Sequence, residues 1–244
     1  MAPSKTGKRS HPSKVSNQSD PEPGSSESSS KKSKSGKIVE TDCGGSFKLT
    51  EPEPSRNKDG VFIFEDYPTF RPNLSPKEVL QAGSFGGTYF RPIKSSITHQ
   101  SYKDVWKELP EDWLEGLNIK TQVASPDYDI SINKYGAKCG GSLEMWETSG
   151  WINKIDPYGW FQWYCRFYRG RRSDDDARQV GRWERCTGPK GRWKNNLVTK
   201  IVKSSATFND RRVSPVIRQV LLHWAYELTK ADFDKRVKEA KLKP

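Results

Sequence analysis

Apolar residues are sparse over residues 1–57 and then recur, mostly at three- and four-residue spacing, through the rest of the chain. That rhythm turns one side of a helix towards a core. Val61-Phe62-Ile63-Phe64 is the first run built for burial and reads as a strand or extended anchor, bounded by Pro68 and Pro72. Ser75-Pro76-Lys77-Glu78 has the grammar of a helix start: a capping serine, proline in the first turn and a glutamate three residues on. Gly83 ends that helix. Two short helices follow within residues 101–117, with Val105 and Trp106, then Leu109, Trp113 and Leu114, as buried sides and Pro110 between them. Residues 120–133, broken by Ser125-Pro126, show no period and read as irregular. Ser142 caps a short helix bearing Leu143, Met145 and Trp146.

The pattern is strongest after residue 150. Asp156-Pro157 reads as a cap with proline at the first position, and Trp160, Trp163, Tyr164 and Phe167 then form one aromatic face, ended by Gly170. Ser173-Asp174-Asp175-Asp176 supplies a cap and acids for a second helix, with Val180 and Trp183 as its apolar side. This accounts for the three aspartates without a metal. Thr187-Gly188-Pro189-Lys190-Gly191-Arg192 turns into a third helix carrying Trp193, Leu197, Val198 and Ile201. Ser214-Pro215 opens a core helix with the stripe Val216, Ile217, Val220, Leu221, Trp224 and Leu228, His223 beside it, and residues 230–243 continue as a charged helix anchored by Phe233 and Val237. The expected fold is mainly α: a single compact helical domain over residues 58–244, with room for a short β-ribbon at its start.

Residues 1–57 read as a basic Ser/Lys-rich disordered tail. Residues 1–40 contain twelve serines, no aromatic residue, eight basic and four acidic side chains, too little apolar surface to offset the entropy of ordering. The Lys31–Lys37 cluster is either a solvated low-complexity stretch or a nuclear-import signal, and the nucleus is the expected location, with the cytoplasm as the alternative. Serines beside those lysines would let phosphorylation reverse the local charge. No apolar run approaches the length of a membrane span, and the first residues lack an apolar signal core.

The net charge of +12 biases the chain towards phosphate-rich partners. Residues 151–200 hold ten aromatic, twelve basic and five acidic residues, a net of +7. Arginines interleaved with aromatics offer phosphate neutralisation together with stacking for unpaired bases, worth about 1–3 kcal/mol per base. The expected function is a basic nuclear protein binding DNA or RNA through Arg166, Arg169, Arg171, Arg172, Arg178, Arg182, Lys190, Arg192 and Lys194. The 187–192 turn is loosely similar to a helix-hairpin-helix, either a phosphate contact or a plain surface turn. Against stacking stands the ordinary fate of aromatics at helical spacing, which is the core.

Two further readings stay open. One is an enzyme on a nucleic acid or phosphorylated substrate, with Glu144 and Glu147 on one helix face, or Asp156, as acid and base, and Arg166, Arg171 and Arg172 clamping the anion. The glycine loops at 83–87 and 136–141 would serve such a pocket, but they lack the P-loop ending and the dinucleotide spacing. The other is an interaction factor for acidic protein partners. Cys43, Cys139, Cys165 and Cys186 read as free thiols in a reducing compartment. Cys139, Cys165, Cys186 and His223 would suffice in number for zinc, but their spacing fits no common module. No cofactor and no metal is expected.

The strings Gly83-Ser-Phe-Gly-Gly-Thr-Tyr-Phe-Arg-Pro-Ile93 and Asp156-Pro-Tyr-Gly-Trp-Phe-Gln-Trp-Tyr-Cys-Arg-Phe-Tyr-Arg-Gly-Arg-Arg172 resemble hallmarks of a group of uncharacterised fungal proteins. The resemblance spans roughly residues 60–230 and implies no activity, fold or ligand.

Overall fold

A computed structural model describes residues 36–40 and 46–241. Among them are seven α-helices and six short strands that pair in twos, so the chain is mainly helical as its periodicity predicts. The strands make three antiparallel ribbons: β1 (Lys37–Glu40) with β2 (Ser46–Leu49), β3 (Ser55–Arg56) with β4 (Phe62–Ile63), and β5 (Ile93–Lys94) with β6 (Ser101–Tyr102).

Two ribbons begin inside the stretch that composition assigns to the tail. The N–H groups of Thr50 and Glu51 both donate to Gly170 O, at 2.9 and 3.1 Å, and Leu49 bridges to Arg171. Arg56 lies 4.2 Å over the Phe62 ring, pairs with Glu78 and donates to Gly60 O and Asn73 O. The folded part therefore starts before residue 58. What draws residues 46–57 in is backbone hydrogen bonding and one arginine, neither of which leaves a hydrophobic period. The tail reading of residues 1–35 lies outside the described residues.

Local caps explain the helix starts. At α1 (Pro76–Gln81) the Ser75 hydroxyl accepts from Glu78 N–H while the Glu78 carboxylate accepts from Ser75 N–H, completing a capping box. The Val105–Glu108 and Glu111–Trp113 segments are single 3-10 turns burying Val105, Leu109 and Trp113. Ser142 caps α2 (Leu143–Thr148) through Met145 N–H. Where an irregular stretch is expected, residues 118–135 carry one π-helical turn (Ile119–Val123) and one 3-10 turn (Ile130–Ile132), and they lie against the first glycine loop. Ser125, Asp129 and Lys134 donate backbone N–H groups to Gly87, Gly86 and Gly83 respectively. Gly87, at φ 77°, has its Cα against Thr121 O, where a Cβ would not fit.

The helix after residue 156 starts later than its sequence suggests. α3 (Trp160–Tyr168) is preceded by Gly159 at φ 86°, and Asp156 is not its cap. Trp163, Tyr164, Phe167 and Phe161 of α3 are almost wholly buried, and Phe70 meets Trp163, Tyr164, Phe167 and Trp183 edge-on. α4 (Asp176–Thr187) begins where Asp176 accepts from Ser173 N–H and Oγ–H and from Trp163 Nε1–H, tying the helix start to the aromatic core.

A second apolar cluster joins α5 (Arg192–Lys203), α6 (Pro215–His223) and α7 (Lys230–Glu239) through Leu197, Val198, Ile201, Ile217, Leu221 and Leu228, with Phe233 and Val237 packed on it. Ser214 does not cap α6; it sits in the left-handed region at φ 53°. The stripe expected to run to Leu228 breaks at Ala225, φ 55°, whose carbonyl accepts from Asn73 and Leu74 N–H.

Candidate functional site

The basic residues of 151–200 separate into a buried set and an exposed set. Asp156 is fully buried in the loop before α3. Arg171 donates to both of its oxygens (2.8 and 2.7 Å), and Arg166 Nη1 donates to Oδ1 (2.9 Å). Arg166 also donates Nε–H and Nη2–H to the two oxygens of Glu108, at 2.9 and 2.7 Å. Glu108–Arg166–Asp156–Arg171 is thus a buried chain of two carboxylates and two guanidiniums with no net charge. Burial alone would lower the Arg166 pKa, but Glu108 and Asp156 outweigh it and hold the group above its ordinary value.

Their neighbours are also engaged. Arg169 donates to Glu108 O at 2.6 Å. Arg172 pairs with Asp66 at 2.6 Å and lies 3.9 Å over Phe167. Arg178 pairs with Asp175 at 2.5 Å. Arg182 donates to Gln179 Oε1 and Trp151 O and lies over the Trp151 and Trp224 rings; burial, then Arg178, pushes its pKa down to about 10. Lys194 is buried beside the Tyr226 ring, and burial lowers its pKa.

So seven of the nine side chains expected to meet nucleic acid brace the fold: Arg166, Arg169, Arg171, Arg172, Arg178, Arg182 and Lys194. Arg166 goes inward with α3, which is buried nearly all round with its aromatics, Arg169, Arg171 and Arg172 are drawn in just after it, and Arg178, Arg182 and Lys194 pack from α4 and α5. Base stacking by those aromatics is likewise closed off, since their rings are core.

Lys190 and Arg192 stand exposed, and the fold extends their surface along α5. Arg192, Asn196, Lys200 and Lys203 fall at i, i+4, i+8 and i+11, one outward side opposite Leu197, Val198 and Ile201. Among the described residues, Lys190, Arg192, Lys200 and Lys203, with Arg185 at the end of α4, form no ion pair. Lys200, Lys203 and Arg212 share an open concavity of about 480 Å³, in which Arg212 is held by Asp210 at 2.8 Å. The 187–192 turn contains no left-handed residue. Gly188 and Gly191 are needed there because a Cβ would strike the end of α4 at Glu184 and at Cys186–Thr187. Sequence reasoning passed over Lys200 and Lys203, although a helical wheel of 192–203 would have set them opposite the core positions.

The groups considered for catalysis are differently placed. Glu144 is exposed, whereas Glu147 is buried and accepts from Ser95 Oγ–H, Ser96 N–H and Ser96 Oγ–H. Burial would raise the Glu147 pKa, but bonds from Ser96 and Ser95 hold it below its ordinary value. Glu147 is thus engaged by serines while Glu144 stands in solvent, and Asp156 has both oxygens occupied by arginines.

His223 Nε2 accepts the backbone N–H of Phe85 at 2.8 Å, with Gln219 Nε2 at 3.1 Å. The backbone donor fixes the ring proton on Nδ1, which faces Cys139 Sγ at 3.4 Å. A ring so tied cannot accept the thiol proton without setting N–H against N–H. Burial also pushes the His223 pKa down to about 3 and the Cys139 pKa up to about 12. The pair is neutral and structural. Of the four residues counted for zinc, only these two meet, and among the described residues no three metal-binding side chains cluster.

Comparison with family models, with curated proteins and with solved structures finds no match to this chain. Among the described residues, no helix is long and apolar enough to cross a membrane.

Proposed function

We propose that this protein is a nuclear, single-domain nucleic-acid binder that holds the phosphate backbone along the outward side of α5 and the turn before it. The observation that carries the reading is the row Lys190, Arg192, Lys200 and Lys203, exposed and without acid partners among the described residues. From Arg192 to Lys203 the row spans about 16 Å at 1.5 Å per residue, enough to face several phosphates spaced about 3.4 Å along a strand. With Trp160, Trp163, Tyr164 and Phe167 in the core, the row meets phosphates, and the aromatics left nearer the surface include exposed Trp151 and half-buried Trp193, under Arg192 at 5.0 Å; binding is weighted to the backbone and not to sequence. The Lys31–Lys37 cluster adds cations that raise the encounter rate and suit nuclear import.

The test is fluorescence anisotropy of the full chain with labelled duplex DNA and single-stranded RNA across salt concentrations. About four phosphate contacts give a slope near −3.6 for log Kobs against log salt on duplex DNA. Replacing Arg192, Lys200 and Lys203 with Gln should reduce that slope by about three and weaken binding to all sequences alike. Equal affinity and slope in the variant would refute the reading. Binding to acidic protein with no response to salt would favour the interaction-factor alternative.

A further inference from the structure

We propose that the cavity between β2 and the α3–α4 connection is a binding site for a phosphomonoester, independent of the α5 surface. The cavity holds about 470 Å³, within the range of small-molecule sites. Its charged lining is cationic throughout, from Lys48 of β2, Lys154, Arg166, Arg171 and Arg172, and no carboxylate is among the lining side chains. Arg166 and Arg171 are already neutralised from behind by Glu108 and Asp156, and Arg172 by Asp66. Among the described residues, Lys48 and Lys154 form no ion pair, which leaves two uncompensated positive charges facing the space. A phosphomonoester carries about −1.5 to −2 near pH 7 and matches that excess, whereas a diester or carboxylate, with one charge, does not.

Two further features make this a built site and not a pair of surface lysines. Arg171 is only 4% exposed and lines the cavity; its Nη1 and Nη2 donate to Asp156, while its Nε–H is buried and has no partner among the described residues. A buried donor so left is costly unless something within the cavity accepts from it. The remaining wall is apolar and aromatic. Phe47 lies 5.0 Å over the Arg166 guanidinium and is joined by Tyr102 and Val105, giving the organic part of the ligand a surface to pack on. The Glu108–Arg166–Asp156–Arg171 chain then has a second consequence, since it holds two guanidiniums rigidly at the cavity wall at no net charge.

The group could come from a free mononucleotide or from the terminal phosphate of a strand. Calorimetric titration of the full chain with adenosine 5′-monophosphate and with inorganic phosphate tests the site, and oligonucleotides with 5′-phosphate or 5′-hydroxyl ends identify the source. The nucleotide is expected to bind more tightly than inorganic phosphate. A preference for the 5′-phosphorylated oligonucleotide would assign the strand end, and equal affinity for both oligonucleotides would assign the free nucleotide. Lys48→Gln with Lys154→Gln should weaken the nucleotide about ten- to hundredfold, as loss of charge-assisted bonds does, and leave the salt slope for duplex DNA unchanged. Lys154→Arg should retain most of the affinity. No heat with either phosphate at millimolar concentration, or equal affinity in the double variant, would overturn the proposal. Neither result would touch the α5 reading, whose variants lie elsewhere.

Discussion

Asp156 holds two arginines with two oxygens and has no exposure, so it is the residue on which most buried charge depends. Asp156→Asn keeps the shape and removes the charge, leaving Arg171 without a counter-ion. The expected cost is about 3–5 kcal/mol of stability in chemical denaturation; a loss below about 1 kcal/mol would contradict the network. His223 gives a pH dependence. Its folded pKa of about 3 lies below its ordinary 6.5, so the unfolded chain binds the proton first. Stability is therefore complete above pH 6.5 and falls as the pH drops towards 3, by up to about 1.4 kcal/mol per unit. Between pH 6.5 and 5 most carboxylates have yet to titrate, so His223→Gln should flatten that part of the profile. An unchanged slope would contradict it. Part of this scale is legible in the sequence: Asp176 is three residues from Ser173, and Glu78 three from Ser75. Glu108 and Arg166 lie 58 positions apart, and no local pattern links them.

At the scale of elements, periodicity locates helices well and ribbons poorly. α1 and α2 start where their capping serines predict, whereas α4 starts at Asp176, past the expected Ser173 cap, and α5 follows Gly191 with no capping side chain. α3 starts late because Asp156 is drawn to Arg166 and Arg171 instead of to a helix end. β4 falls within the Val61–Phe64 run that reads as a strand, whereas β3, β5 and β6 have two residues each, too few for an alternating pattern. Two substitutions probe this level. Ser75→Ala removes half of the capping box of α1 and should cost about 1 kcal/mol, read by thermal or denaturant melting. Gly170 stands at φ 103° with Glu51 O against its Cα. Gly170→Ala should therefore release residues 49–51 and speed proteolysis within 46–57, whereas wild-type resistance in the variant would show that those residues are held by something else.

For the whole molecule, the net charge of +12 overstates the surface available to a polyanion. The segment from Trp151 to Lys200 carries more than half of that charge, yet four of its eight arginines, Arg166, Arg171, Arg172 and Arg178, are paired with carboxylates. Composition reveals how many cations there are, and only packing reveals which of them are unpaired. That is why the number of cations in this segment is legible in the sequence while their division into paired and unpaired is not: a burial pattern that takes in all sides of α3 cannot be separated, in sequence, from one that takes in a single face. The most direct measurement is lysine footprinting: acetylation rates along the full chain, with and without a 30-base-pair duplex at low salt, resolved by mass spectrometry. The account predicts that Lys190, Lys200 and Lys203 are protected by the duplex, while Lys94 and Lys230 react at unchanged rates. Equal reactivity of Lys190, Lys200 and Lys203 under conditions where the duplex is bound would contradict it.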